Sequence, residues 1–306
     1  MSPRDTNGFV EIPGPWQHRY VAANGARFHV AEAGPRDGGL VLLLHSFPEF
    51  WWAWRDQLPP LAEAGHRAVA MDLRGYGGSD KTPRGYDPAT LAQDVAGVVK
   101  ALGHRSAVLV GHGWGGYVGW TVATLHPREV SALCAVSAPH PSMMMAALRR
   151  GAPYPALRHL LAMQVPWRPE RRIADPARGY VAAHLRAWSA PGSAFPDTEE
   201  AGVYQDAMSL WPAPHCALEY HRWLFRSRVR SDGRRFDAEM RRTVRQPVCC
   251  LYGDRDPAVP PGTHAASRQR VSGAFTHHAV AGSGHFPHEE DPAAFNRLLL
   301  DWVSRL

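Results

Sequence analysis

Four short segments of this 306-residue chain carry residue types whose order suits acid–base chemistry on an electrophile. Gly111-His112-Gly113-Trp114-Gly115-Gly116 has the frame Gly-x-nucleophile-x-Gly, in which flanking glycines let a strained strand-to-helix turn thrust its central residue into a pocket. The central residue here is Gly113, which offers no atom with a lone pair beyond its backbone. Asp256, in Gly253-Asp254-Arg255-Asp256, and His285, in Gly284-His285-Phe286-Pro287, follow in the chain order elbow, acid, histidine. An acid bonded to one imidazole nitrogen fixes the tautomer and leaves the other nitrogen as a base. His45-Ser46-Phe47-Pro48 adds a loop whose Phe47 N–H, together with the N–H of Trp114, suits a developing oxyanion.

The elements that must position these segments are legible as an alternation of strands and helices, which argues for an α/β fold with a mostly parallel sheet. Strands are expected at Arg27–Ala33, Leu40–His45, Arg67–Asp72, Ser106–Gly111, Val130–Ser137, Pro247–Tyr252 and Thr276–Val280. The run Leu40–His45 is continuously apolar, as in a strand buried on both faces. Helices are expected at Trp54–Ala64, Pro88–Leu102, Gly115–His126 and from Asp291, the N-cap of a last helix with Pro292 at its first position. Each of the four segments follows a strand, where open α/β sheets bind their ligands. From about Ser142 to Arg242 the alternation breaks into helical patches and prolines, which reads as an insertion.

Composition narrows the setting. The apolar and charged fractions are those of a globular protein, and no apolar run is long enough to span a membrane. The N-terminal residues lack the apolar core of a secretory signal. The four cysteines show no disulfide or zinc spacing, so a cytoplasmic location and no metal or other cofactor are expected. Nine arginines and three acids between Arg222 and Arg245 account for the whole net charge of +6. No stacking aromatics or nucleic-acid motif accompany them, so they read as a solvated basic stretch and no nucleic-acid partner is expected.

His45-Ser46-Phe47-Pro48-Glu49-Phe50-Trp51-Trp52-Ala53-Trp54-Arg55, Met71-Asp72-Leu73-Arg74-Gly75-Tyr76-Gly77-Gly78-Ser79-Asp80, the Gly111–Gly116 turn and Gly282-Ser283-Gly284-His285-Phe286 together resemble the epoxide hydrolase branch of the α/β-hydrolase superfamily, with haloalkane dehalogenases as relatives. The resemblance implies a mostly parallel eight-stranded sheet flanked by helices, with a core at 1–141 and 243–306 and a helical cap at 142–242. It implies a capped site for a small apolar substrate, contacted by Trp51, His45, Tyr220 and His221. Trp114, Trp167 and Trp211 are further aromatic candidates for that site.

The departures from the family pattern matter as much. The family's elbow residue is an Asp that opens the epoxide; here it is Gly113. Ser46 replaces the usual Gly of the oxyanion loop, and because it stands on a different loop it is not expected to attack in line from the elbow. Two cap tyrosines normally hydrogen-bond the epoxide oxygen. Local pattern puts Ala162 and His221 at those positions, with Tyr154, Tyr180, Tyr204 and Tyr220 as other candidates. Three readings stay open: a hydrolase in which His285 activates a water lodged in the vacated elbow, a ligand-binding protein without catalysis, and a lyase-type enzyme using His285 as base.

Overall fold

The computed structural model describes residues 7–151 and 156–306. Its centre is an eight-stranded sheet: β1 (Gln17–Ala23), β2 (Ala26–Ala33), β3 (Leu40–Leu44), β4 (Arg67–Met71), β5 (Ala107–His112), β6 (Val130–Val136), β7 (Val248–Gly253) and β8 (Phe275–Val280). The strand order is β1-β2-β4-β3-β5-β6-β7-β8. The pairs β1–β2 and β2–β4 are antiparallel and the remaining pairs are parallel. The expected mostly parallel eight-stranded α/β architecture is therefore present.

The seven expected strands lie within a residue of their anticipated ends, and the central ones, covered on both faces, read as apolar runs. All five residues of β3 and of β4 are buried. β1 is absent from the expectation. It is an edge strand with few buried side chains, so its pattern is weak. Its clearest signal is Asn24-Gly25, a two-residue hairpin turn with both residues at positive φ that joins Ala23 to its partner Ala26. The helix expected at Trp54–Ala64 is a short 3₁₀ turn, Trp51–Trp54, followed by α1 (Leu58–Glu63). Pro59 and Pro60 are tolerated only in a helix's first turn, which delays its start.

Helices α2 (Pro88–Ala101) and α3 (Gly113–Leu125) pack on the sheet and on each other. Between β6 and β7 lie α4 (Pro141–Arg149), α5 (Ala156–Ala162), α6 (Arg168–Ala174), α7 (Tyr180–Trp188), α8 (Thr198–Ser209), α9 (Ala213–Arg226) and α10 (Ser231–Glu239). The chain closes with α11 (Thr263–Ala266), α12 (Pro287–Glu290) and α13 (Pro292–Val303). Asp291 caps α13 as expected, accepting from the N–H of Ala294, and the helix buries Phe295, Leu299, Trp302 and Val303. The four cysteines are free and buried. No helix among the described residues is long and apolar enough to cross a membrane.

Candidate active site

The turn between β5 and α3 depends on its glycines. Gly113 has φ +47°, a conformation that costs an L side chain energy. A Cβ on Gly115 would lie 2.1 Å from the carbonyl oxygen of Leu44, so the elbow can press against the end of β3 only without one. A Cβ on Gly113 would lie 2.3 Å from Ser46 Oγ, 2.9 Å from Ser46 Cβ and 3.6 Å from His285 Nε2. The place vacated by an elbow side chain is thus filled by the hydroxyl of Ser46. That corrects the expectation of a water-sized hole at this point. Ser46 Oγ accepts a hydrogen bond of 3.1 Å from the N–H of Trp114. The N–H of Phe47 has no protein partner among the described residues.

His285 sits on the loop after β8 and Asp256 on the loop after β7. Asp256 Oδ2 accepts from His285 Nδ1 at 2.9 Å, and its Oδ1 accepts from the N–H of Ala258. His285 Nε2, the ring nitrogen not bonded to Asp256, lies 3.6 Å from the point where Gly113 would carry a Cβ. The backbone of His285 is held at both ends: its N–H donates to the Trp188 carbonyl, and its carbonyl accepts from His112 Nε2. The Glu290 carboxylate accepts from the N–H groups of Gly284, Phe286 and Ala190, tying the histidine loop to the end of α7.

A buried brace lies behind the elbow. Glu49 Oε2 accepts from the N–H of Ser46 at 2.9 Å and from His112 Nδ1 at 2.9 Å. One carboxylate thus positions the oxyanion loop, and through His112 the histidine loop. Burial alone would raise the Glu49 carboxyl, but the charge and hydrogen bonds of His112 and His288 hold it well below the usual range. Glu49, His112 and His288 place one potential metal ligand atom each within 4.8 Å of one another. All three are fully buried outside the cavity, and Glu49 and His112 bond the two site loops, which is a bracing role.

Above the elbow is a cavity of about 770 Å³. Its floor includes Ser46, Gly113 and His285, its walls Phe47, Trp114 and Trp188, and its ceiling His159, His184 and His221 from the helical insertion. The profile described as alpha/beta hydrolase fold matches residues 39–292. The chain belongs to the α/β-hydrolase fold family. It is 30% identical to Epoxide hydrolase A of Mycobacterium tuberculosis over 94% of this chain and 97% of that protein. It is 44% identical to the AB hydrolase superfamily protein YfhM of Bacillus subtilis over 129 residues, 41% of this chain and 45% of that protein. Among solved structures, epoxide hydrolase VrEH1 from Vigna radiata superposes with a TM-score of 0.80 at 26% identity, over 95% of this chain and 99% of that one. The chain is an epoxide hydrolase-like α/β-hydrolase.

In this hydrolase fold the described tyrosines between β6 and β7 are not among the residues lining the cavity. Tyr204 donates to Glu289 and Tyr220 to the Arg74 carbonyl, and the Tyr180 hydroxyl bonds His159 Nδ1. Tyr154 lies outside the described residues. Imidazoles take the ceiling instead. His221 Nδ1 donates to the Ala217 carbonyl, so its Nε2 is an acceptor, facing Trp114 Nε1 at 3.2 Å and His159 Nε2 at 3.3 Å. His159 Nε2 approaches the same His221 nitrogen, whose single lone pair the Trp114 indole N–H occupies, and His159 Nδ1 lies 3.2 Å from the Tyr180 hydroxyl. Burial lowers all three ceiling histidines, His184 to about 3 and His221 to about 4, so they stay neutral near neutral pH.

The other sequence expectations divide. His285, Asp256, Gly113, Phe47, Trp114 and His221 are gathered at one place. His45, Trp51 and Tyr220 do not line the cavity. His45 bridges the Ser46 carbonyl and the N–H of Leu73, and Trp51 donates its indole N–H to the Val10 carbonyl inside the core. Trp167 and Trp211 are exposed, away from the cavity. Ala162 is exposed, and His159, one helical turn earlier on α5, reaches the ceiling. The i, i+3 relation to Ala162 was the signal available for it. His184 had no comparable signal. Arg222 pairs with Glu170 at 2.6 Å and is buried, so the basic stretch is not wholly solvated.

Proposed function

We propose that this chain hydrolyses a small apolar ester without a covalent step at Gly113. His285, oriented by Asp256, is the general base that activates the attacking oxygen. The N–H groups of Phe47 and Trp114 bind the oxyanion, and the mostly apolar cavity takes the acyl or alcohol portion. The observation that carries this reading is the 2.9 Å Asp256–His285 pair, which leaves Nε2 facing an elbow without a side chain. A protein that only binds ligands has no need of a base held at both backbone ends.

An ester suits the site better than an epoxide. Opening an epoxide calls for a proton or hydrogen bond on the ring oxygen. In this chain the phenols of Tyr180, Tyr204 and Tyr220 are bonded elsewhere, and His159 is engaged by both Tyr180 and His221. A carbonyl instead calls for paired backbone donors, the role proposed for the N–H groups of Phe47 and Trp114. A panel of aryl esters and epoxides of graded apolar size, assayed on the wild type and on Asp256→Asn, tests the proposal. Ester turnover that the substitution lowers supports it. Apolar ligand binding with no turnover of either class would leave a binding protein.

A further inference from the structure

Ser46 and Gly113 both depart from the family's pattern, and they meet at one point. The position of the absent Gly113 Cβ has Ser46 Oγ 2.3 Å away and His285 Nε2 3.6 Å away. Ser46 is nearly buried, lines the cavity floor, and has its backbone N–H fixed by Glu49. Its Oγ accepts from the Trp114 N–H, which leaves its own proton free to be donated. An Asp or Ser at position 113 would have to place its Cβ inside the space that the Ser46 side chain now holds. The two departures are therefore one exchange: a side chain leaves the elbow, and an oxygen enters the same space from the neighbouring loop.

We infer that Ser46 is the nucleophile of this site, a Ser–His–Asp set in which the hydroxyl comes from the oxyanion loop rather than the elbow. The inference rests on His285 being the base and replaces water with Ser46 as the first attacking group. His285 Nε2 takes the Ser46 hydroxyl proton as Oγ bonds to the ester carbonyl carbon, and the carbonyl π pair moves onto oxygen. The Trp114 N–H transfers its bond from Oγ to that oxygen, beside the Phe47 N–H. Collapse expels the alcohol, which leaves with the proton from His285, and Ser46 is acylated. Water then attacks the acyl carbon and gives a proton to His285. The C–Oγ bond breaks, Oγ recovers that proton, and the carboxylic acid departs.

The sequence does not indicate this, because the two loops are far apart in the chain and the elbow motif directs attention to position 113. The structure also separates Ser46 from a second hydroxyl in the cavity. Ser137 lies at the end of β6 with φ +47° and a buried Oγ without a partner. None of its atoms is among the three nearest to the Gly113 Cβ point, which belong to Ser46 and His285.

An alkyl fluorophosphonate reacts with activated serine hydroxyls and needs no turnover, so it tests Ser46 directly. The full-length protein is treated and digested with trypsin. The peptide Asp37–Arg55 contains a single serine, Ser46. We expect the adduct on this peptide, and at least tenfold slower labelling in His285→Ala, as general-base activation requires. No adduct, or an adduct confined to the Ser137 peptide, overturns the inference. Ester turnover provides the second readout. If Ser46→Ala keeps wild-type turnover while His285→Ala loses it, Ser46 is not the nucleophile, but the base reading stands. If neither substitution changes turnover, both readings fall.

Discussion

Ser46 Oγ lies 2.3 Å from the point where Gly113 would carry a Cβ, so the two positions exclude each other's side chains. The first prediction follows from that exclusion. Gly113→Asp alone combines positive-φ strain with a clash and should cost about 1–3 kcal/mol. Ser46→Gly in the same chain removes the clash. A double-mutant cycle from urea unfolding should then show favourable coupling of about 1–2 kcal/mol. Additive effects would mean that the two loops do not meet as described.

The same exchange bears on the reaction. Gly113→Asp with Ser46→Gly, His159→Tyr and His221→Tyr returns a carboxylate to the elbow and phenols to the cavity ceiling. This variant should gain hydrolysis of an aryl epoxide that the wild type does not turn over, read as diol formation. Gly113→Asp with Ser46→Gly alone should give less, because it leaves the ceiling with imidazoles in contact with each other and no phenol to hydrogen-bond the ring oxygen.

Glu49 joins the oxyanion loop to the elbow and, through His112, to His285. Glu49→Leu leaves the Ser46 N–H and His112 Nδ1 without their partner in the interior. It should lower stability by about 3–5 kcal/mol, measured by denaturant unfolding. Glu49→Gln keeps an acceptor and should lose less.

Acid sensitivity should be marked. Burial pushes His140 and His184 down to about 3, and His221, His264 and His288 to about 4, from an ordinary value of 6.5. Below pH 6.5 the unfolded chain takes up protons at these residues that the folded chain refuses. Stability must therefore fall as pH drops from 6.5 toward 4, by up to about 2 kcal/mol per histidine at pH 5. Urea midpoints at pH 7.5, 6 and 5 check this, and a flat profile would contradict the neutral assignment of the ceiling.

Much of this was legible from the chain itself. Strands β3 to β7 are apolar runs because helices cover both faces, and Asp256 and His285 sit beside motifs that punctuate strand ends. β1 was hidden because an edge strand alternates weakly. His159 was hidden because a local pattern centred on Ala162 misses by one helical turn. His45, Trp51 and Tyr220 have the right residue types near the right motifs, yet their polar atoms are spent on Leu73, Val10 and Arg74. The place of Ser46 depends on how closely two loops approach, which no spacing along the chain encodes.

In the proposed reaction an Asp256-held His285 drives ester hydrolysis at a site whose elbow has no side chain. The direct measurement is kcat/KM for an aryl ester of a medium-chain acid, on the wild type and on His285→Ala, with folding of both verified by circular dichroism. Wild-type turnover should stand well above buffer hydrolysis and fall by about 10³-fold or more in the variant. Equal turnover by the two proteins, or none above buffer from the wild type across the ester series, would contradict it.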